Sequence, residues 1–175
     1  IKDEAGFRKA IAEGLAEQLK GDSDYKFIQD LRAYCEKKVG KLTFPDAILK
    51  RIMLANNQDK GEEFVDKNYE QSIKELTWHL IKEQLAQAHG IKVDDNDVRE
   101  SARQMARAQF AQYGMNNVPD DYLNGYADEM LKKRENIDSF VEAALDRKLA
   151  ATLKDVVKLN KKSVSLEEFN KLVNE

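Results

Sequence analysis

Few residues in this chain could bind a metal ion or move a proton, and their spacing limits them further. The two histidines, His79 and His89, lie ten residues apart on one predicted helix, too far along it to share a metal ion. Asp94, Asp95 and Asp97 open like a calcium loop. Val98, however, stands where that loop needs a third oxygen ligand, Arg99 where it needs glycine, and Met105 where it needs a bidentate glutamate. These acids therefore read as helix caps. Cys35, the single cysteine, shares an apolar helical face with Ile28, Leu31 and Val39, which predicts a buried structural thiol with no internal disulfide. No glycine-rich phosphate loop occurs, and no nucleophile has a base at usable spacing. The expectation is a protein with no catalytic residue, no metal and no cofactor.

The chemistry left is that of an apolar surface. Ser101–Val118 holds no acidic residue in a chain otherwise full of them, and it carries Met105, Phe110, Tyr113, Met115 and Val118 among Ala, Gln and Asn. After Pro119, Tyr122 and Tyr126 follow at i and i+4, neighbours on one helix face. Flexible methionine and broad aromatic rings suit a surface that accepts many different apolar partners. Met53 and Leu54 form a second candidate patch. The alternative is that Ser101–Val118 is the packed face of a helical hairpin, although Gln, Asn and short Ala side chains make a poor deep core.

The elements that must position these residues are helices. Gly61–Gly90 reads as a central one, with Val65, Tyr69, Ile73, Leu76 and Leu80 at steps of three or four and a second stripe of Trp78, Ile81 and Leu85. Before it, Asp3–Lys20 carries Phe7, Ile11, Leu15 and Leu19. A second pattern runs through Tyr25, Ile28, Leu31, Cys35 and Val39 to Gly40, and Gly21-Asp22-Ser23-Asp24 leaves open whether the two make one helix or two. Leu42-Thr43-Phe44-Pro45-Asp46 is an extended piece opening a short helix that fades near Asn56-Asn57. The same design recurs 49 residues later, where Val93 aligns with Phe44, and a third time at Val164-Ser165-Leu166, where Ser165 and Glu168 make a capping box. Three further helical pieces are predicted between the last two. Val98, Ala102, Met105, Ala106, Phe110 and Tyr113 share an arc of roughly 140°. A helix opened by Pro119-Asp120-Asp121 carries Tyr122, Leu123, Tyr126 and Met130, and a long stripe runs from Ile137 to Val156.

Composition agrees. Hydrophobic residues make up 42% and charged residues 35%, with 8 Gly and only 2 Pro, as in a helical protein with a charged surface. The net charge of −3 is interleaved, and the basic patches Lys37-Lys38, Lys132-Lys133-Arg134 and Lys161-Lys162 each have acids nearby, so nucleic acid and anionic membrane are not expected partners. No apolar run approaches the length of about 18 residues that a membrane span needs. The chain begins at Ile1 and reads as an excised cytoplasmic fragment. We expect an all-α, elongated multi-helix domain over residues 1–175, with protruding helical arms at roughly 41–90 and 91–160.

In its helix order and punctuation the chain resembles the C-terminal, client-binding domain of the trigger factor family of bacterial ribosome-associated chaperones. The resemblance rests on the amphipathic stretch Phe7–Val39 leading into Leu42-Thr43-Phe44-Pro45, on Leu80–Val93 with Gly90-Ile91-Lys92-Val93-Asp94, on Met105-Ala106, and on Ser165-Leu166-Glu167-Glu168-Phe169-Asn170-Lys171-Leu172. Gly6-Phe7-Arg8 copies the start of the family's ribosome-docking loop. Ala10 and Glu13 then depart from it, so contact with the ribosome is expected only through an N-terminal domain absent here, as is the isomerase domain. The resemblance implies an ATP-independent holdase that binds unfolded or nascent polypeptides in a helical cradle, with Met105, Phe110, Tyr113, Met115, Val118, Tyr122, Tyr126, Met53 and Leu54 as client-binding residues. It leaves open self-association, a SurA-like periplasmic chaperone core, and a scaffold or dimerisation module for a folded partner.

Overall fold

The computed structural model describes residues 4–115, 117–160 and 162–174, where seven helices and no strand are found. Asp3 and Lys161, named above, lie outside the described residues. The helices are α1 (Glu4–Val39), α2 (Asp46–Asn56), α3 (Gly61–Ala88), α4 (Asp95–Gln112), α5 (Asp120–Leu131), α6 (Arg134–Val156) and α7 (Leu166–Asn174). The chain divides into two compact units, Gln29–Leu85 on the one hand and Ile1–Ile28 with Ala86–Glu175 on the other.

The first question left open by the sequence has a clear answer, since α1 runs unbroken through Gly21-Asp22-Ser23-Asp24. A glycine costs an exposed helix only about 1 kcal/mol, and the aspartates need not cap anything when the flanking turns are already helical. The helix stops at Gly40, whose φ of 71° is left-handed and whose N–H donates to the Glu36 carbonyl at 3.0 Å.

In the unit Gln29–Leu85, the α3 stripe is only partly core. Val65, Trp78 and Ile81 are buried whereas Leu80 is exposed, so the stripe containing Trp78 and Ile81 faces the interior at that end of the helix. Arg32 joins α1 to α3. Its Nη1 and Nη2 donate to the two Glu75 oxygens at 2.9 and 3.0 Å, and its guanidinium lies 5.9 Å from the Trp78 ring centroid. The paired hydrogen bonds hold the Glu75 carboxyl below its ordinary value. On α2, Asp46 does not cap its helix. Its carboxylate accepts from the Tyr69 hydroxyl at 2.6 Å, which ties α2 to α3.

In the other unit the fully buried residues belong to α4, α5 and α6, which pack on one another. Ala102, Ala106, Ala127 and Ala144 are completely excluded from solvent, together with Leu123, Leu149 and the nearly buried Phe140. Short alanine side chains let the helix backbones approach closely, so the alanines that looked like poor core material form the seam. Ion pairs border it, with Arg99 Nη2 2.6 Å from Asp128 and Arg103 paired with Asp120. Asp94 and Asp97 exchange capping bonds at 3.0 and 2.9 Å, and Lys148 on α6 binds both the Asp97 carboxylate and, at 2.6 Å, the Lys92 carbonyl. These contacts hold the α3–α4 turn against α6. The same unit contains α1 as far as Ile28 and the C-terminal α7, whose capping box is formed as the sequence predicts: Glu168 accepts from the Ser165 N–H at 3.0 Å and Ser165 accepts in return at 3.3 Å. Phe169 of that helix is partly buried.

Candidate functional site

The acid-free stretch is shaped by its ending. Helix α4 closes in a Schellman turn: Gly114 has φ 76°, its N–H donates to the Ala111 carbonyl at 2.9 Å, and the Met115 N–H reaches the Phe110 carbonyl at 3.0 Å. That turn brings Met115 back beside Phe110. Pro119, whose fixed φ starts α5, follows, and α5 returns along α4.

Between these pieces lie two adjacent open hollows, about 410 and 570 Å³. Phe110 and Tyr122 line both of them. Tyr126 and Gly125 complete the first, and Met115, Val118 and Pro119 the second. The Phe110 and Tyr126 rings meet at 5.3 Å with a tilt of 59°, an edge-biased aromatic contact, and the Tyr126 hydroxyl donates to Gln109 at 3.0 Å. Tyr122 has no such support and is 72% exposed. The groove is therefore fixed at Phe110 and Tyr126 and open at Tyr122. Its lining is mostly apolar, with Asn117, Asp121 and Glu129 as the polar side chains besides the tyrosine hydroxyls, and among the described residues no lysine or arginine lines it.

Five of the nine predicted residues thus come together: Phe110, Met115, Val118, Tyr122 and Tyr126. Tyr113, at 80% exposure, caps α4 outside the lining, and Met105, also exposed, sits on a different side of α4. The arc of apolar residues on α4 is divided in two, with Ala102 and Ala106 turned into the core and Met105 turned out. Met53 and Leu54 belong to the other unit and are half-buried on α2, where the Met53 carbonyl accepts from Asn57. Sequence reasoning missed Gly125. A Cβ built there meets nothing within 4 Å, so this helical glycine opens the groove, and an isolated glycine inside a helical pattern is the signal that could have found it.

Among the described residues no group of three or more His, Cys, Asp or Glu is placed to hold a metal ion. Burial raises the Cys35 thiol above its ordinary value, which disfavours the reactive thiolate. No helix among the described residues is long and apolar enough to cross a membrane.

Compared with known proteins, the chain matches the family described as probable trigger factor, C-terminal domain, over residues 23–173. The match starts after the Phe7–Leu19 stripe and ends within α7. No curated protein and no solved structure matches it. With 151 of 175 residues inside that match and seven helices in the order its sequence predicts, the chain belongs to the family of trigger factor C-terminal domains and is a chaperone-like, all-α protein.

Proposed function

We propose that this domain is an ATP-independent holdase that keeps unfolded polypeptides from aggregating, and that the α4–α5 groove is one of its client-binding patches. The observation that carries the reading is the groove itself: Phe110, Met115, Val118, Tyr122 and Tyr126 form a continuous apolar surface that the rest of its unit leaves open. A contiguous exposed apolar patch, unlike single exposed apolar residues, marks a surface that a partner covers.

The magnitudes fit weak, dispersed binding. Burying about 300 Å² of apolar client surface contributes about 7.5 kcal/mol before association entropy is subtracted. One groove then holds a client loosely, and micromolar affinity, about 8 kcal/mol net, requires several patches on one client chain. Met53 and Leu54, or the exposed Met105 and Tyr113, serve as further patches in this reading.

Filling the groove tests it. Gly125→Leu adds a side chain into open space and exchanges a poor helix former for a good one, so folding is preserved. Light scattering from an aggregating, chemically unfolded client should be suppressed by the native domain and much less by the variant, with equal melting temperatures. Full suppression by Gly125→Leu would remove the groove from the client surface.

A further inference from the structure

Helix α5 has a gap on the face that it turns to the groove. Tyr122, Gly125, Tyr126 and Glu129 follow at i, i+3, i+4 and i+7 and share one helix face. Asp121 lies one turn before Gly125 and Glu129 one turn after it, each about 6 Å along the axis. A Cβ at Gly125 would meet nothing within 4 Å, so the position is a notch and not a packed contact. Its walls are aromatic. Phe110, Tyr122 and Tyr126 line the hollow of about 410 Å³ together with Gly125, Asp121 and Glu129. The Phe110 and Tyr126 rings stand at 59° to each other and make a corner, which the hydrogen bond from Tyr126 to Gln109 fixes. Arginines nearby are engaged elsewhere, Arg99 by Asp128 and both Arg103 and Arg107 by Asp120. Glu129 pairs with the exposed Lys132, whereas among the described residues no cation pairs with Asp121.

We propose that the Gly125 notch is a binding site for a small alkylated ammonium cation of the trimethylammonium kind, held against Phe110, Tyr122 and Tyr126 with Asp121 as counter-charge. Ring faces attract a cation through their quadrupole, and several rings around one hollow form the arrangement that recognises quaternary ammonium. Other cations fit the notch less well. A metal ion needs several oxygen donors converging on it, and Asp121 and Glu129 are about 12 Å apart along α5. A primary ammonium or a guanidinium must find an acceptor for each N–H that leaves water, and ring faces wall most of this hollow. A fully methylated nitrogen carries its charge with no N–H, and its methyl groups bury apolar area against the rings. Such a cation would bind in the notch whether or not polypeptide clients use the groove.

Choline is the probe, and its uncharged tert-butyl analogue, with carbon in place of the quaternary nitrogen, has the same shape without the charge. In NMR titrations of the full 175-residue chain at constant ionic strength, choline from about 0.1 to about 50 mM should shift the Tyr126 ring signals saturably, as expected of an open, weak site. The neutral analogue should bind about five-fold or more weaker, because the rings favour charge as well as shape. Tyr122→Leu keeps an apolar side chain at a position 72% exposed, so the fold is preserved. It should weaken choline several-fold with little effect on the analogue, and Asp121→Asn should do the same by removing the counter-charge. Gly125→Leu should abolish binding of both, and Tyr113→Leu, outside the lining, should change neither. No saturable shift, equal binding of choline and its analogue, or choline binding unweakened by Gly125→Leu, Tyr122→Leu or Asp121→Asn overturns the proposal. The two readings of the groove fail separately. Absence of choline binding with full aggregation suppression defeats the cation site alone, whereas choline binding by a domain that suppresses no aggregation defeats the client site alone.

Discussion

Phe110 and Tyr122 line the same hollows at different depths, so substituting them separately distinguishes binding from folding. Phe110 is partly buried and its ring packs on Tyr126 at 5.3 Å. A fully buried Phe→Ala costs about 3–5 kcal/mol, so a partly buried one is expected to cost about 2–3 kcal/mol. The lost ring pair, about 0.5–1.5 kcal/mol, is included in that figure. For a chain of this length each kcal/mol lowers the melting temperature by about 2–4 °C, which gives a drop of about 4–12 °C for Phe110→Ala. Tyr122, at 72% exposure, supports nothing that the fold needs. Its replacement by Ser should fall within about 0.5 kcal/mol, under about 2 °C. Both variants should weaken aggregation suppression, and Tyr113→Ser, outside the groove, should leave stability unchanged and weaken suppression less than either. Calorimetry beside light scattering checks all three. A large melting drop for Tyr122→Ser would return this stretch to ordinary packing, and undiminished suppression by both groove variants would sink the client-site argument.

Three other outcomes follow from single contacts. Lys148, and then the Asp94 N–H, hold the Asp97 carboxyl below its ordinary 3.8, so this contact stabilises the fold above about pH 4 and the stability is lost as pH falls through the lower folded value; Asp97→Asn should flatten the acid limb of the melting-temperature profile. Partial burial, and next the bond to Asp46, push the Tyr69 phenol from 10 up to about 12, so its contribution is complete below pH 10 and disappears as pH rises towards 12; ultraviolet titration should show one late-ionising tyrosine that Tyr69→Phe removes. Gly114→Ala forces a side chain into left-handed backbone at about 1–2 kcal/mol, and a melting drop of about 2–8 °C should accompany loss of the Met115–Phe110 side of the groove.

The sequence by itself determined the helices and their punctuation, because both depend on neighbours along the chain. Apolar spacing marks α2 to α6, left-handed glycines at Gly40, Gly90 and Gly114 stop helices where the sequence has them, and Ser165 with Glu168 caps α7 through bonds three residues long. Even the Gly21–Asp24 ambiguity is local, a weak helix signal settled by strong flanks. Which apolar residues become core was not local. Val98, Ala102, Met105, Ala106, Phe110 and Tyr113 look alike as an arc, but only the tertiary packing of α4 on α5 and α6 turns Ala102 and Ala106 inward and Met105 outward. The same packing gathers Phe110, Met115, Val118, Tyr122 and Tyr126 around one groove, leaves Tyr113 out, and gives Gly125 a purpose that its helical neighbours do not reveal. Periodicity states which face of a helix is apolar. How much of that face another helix covers depends on where the chain brings its partner, and only the tertiary structure contains that information.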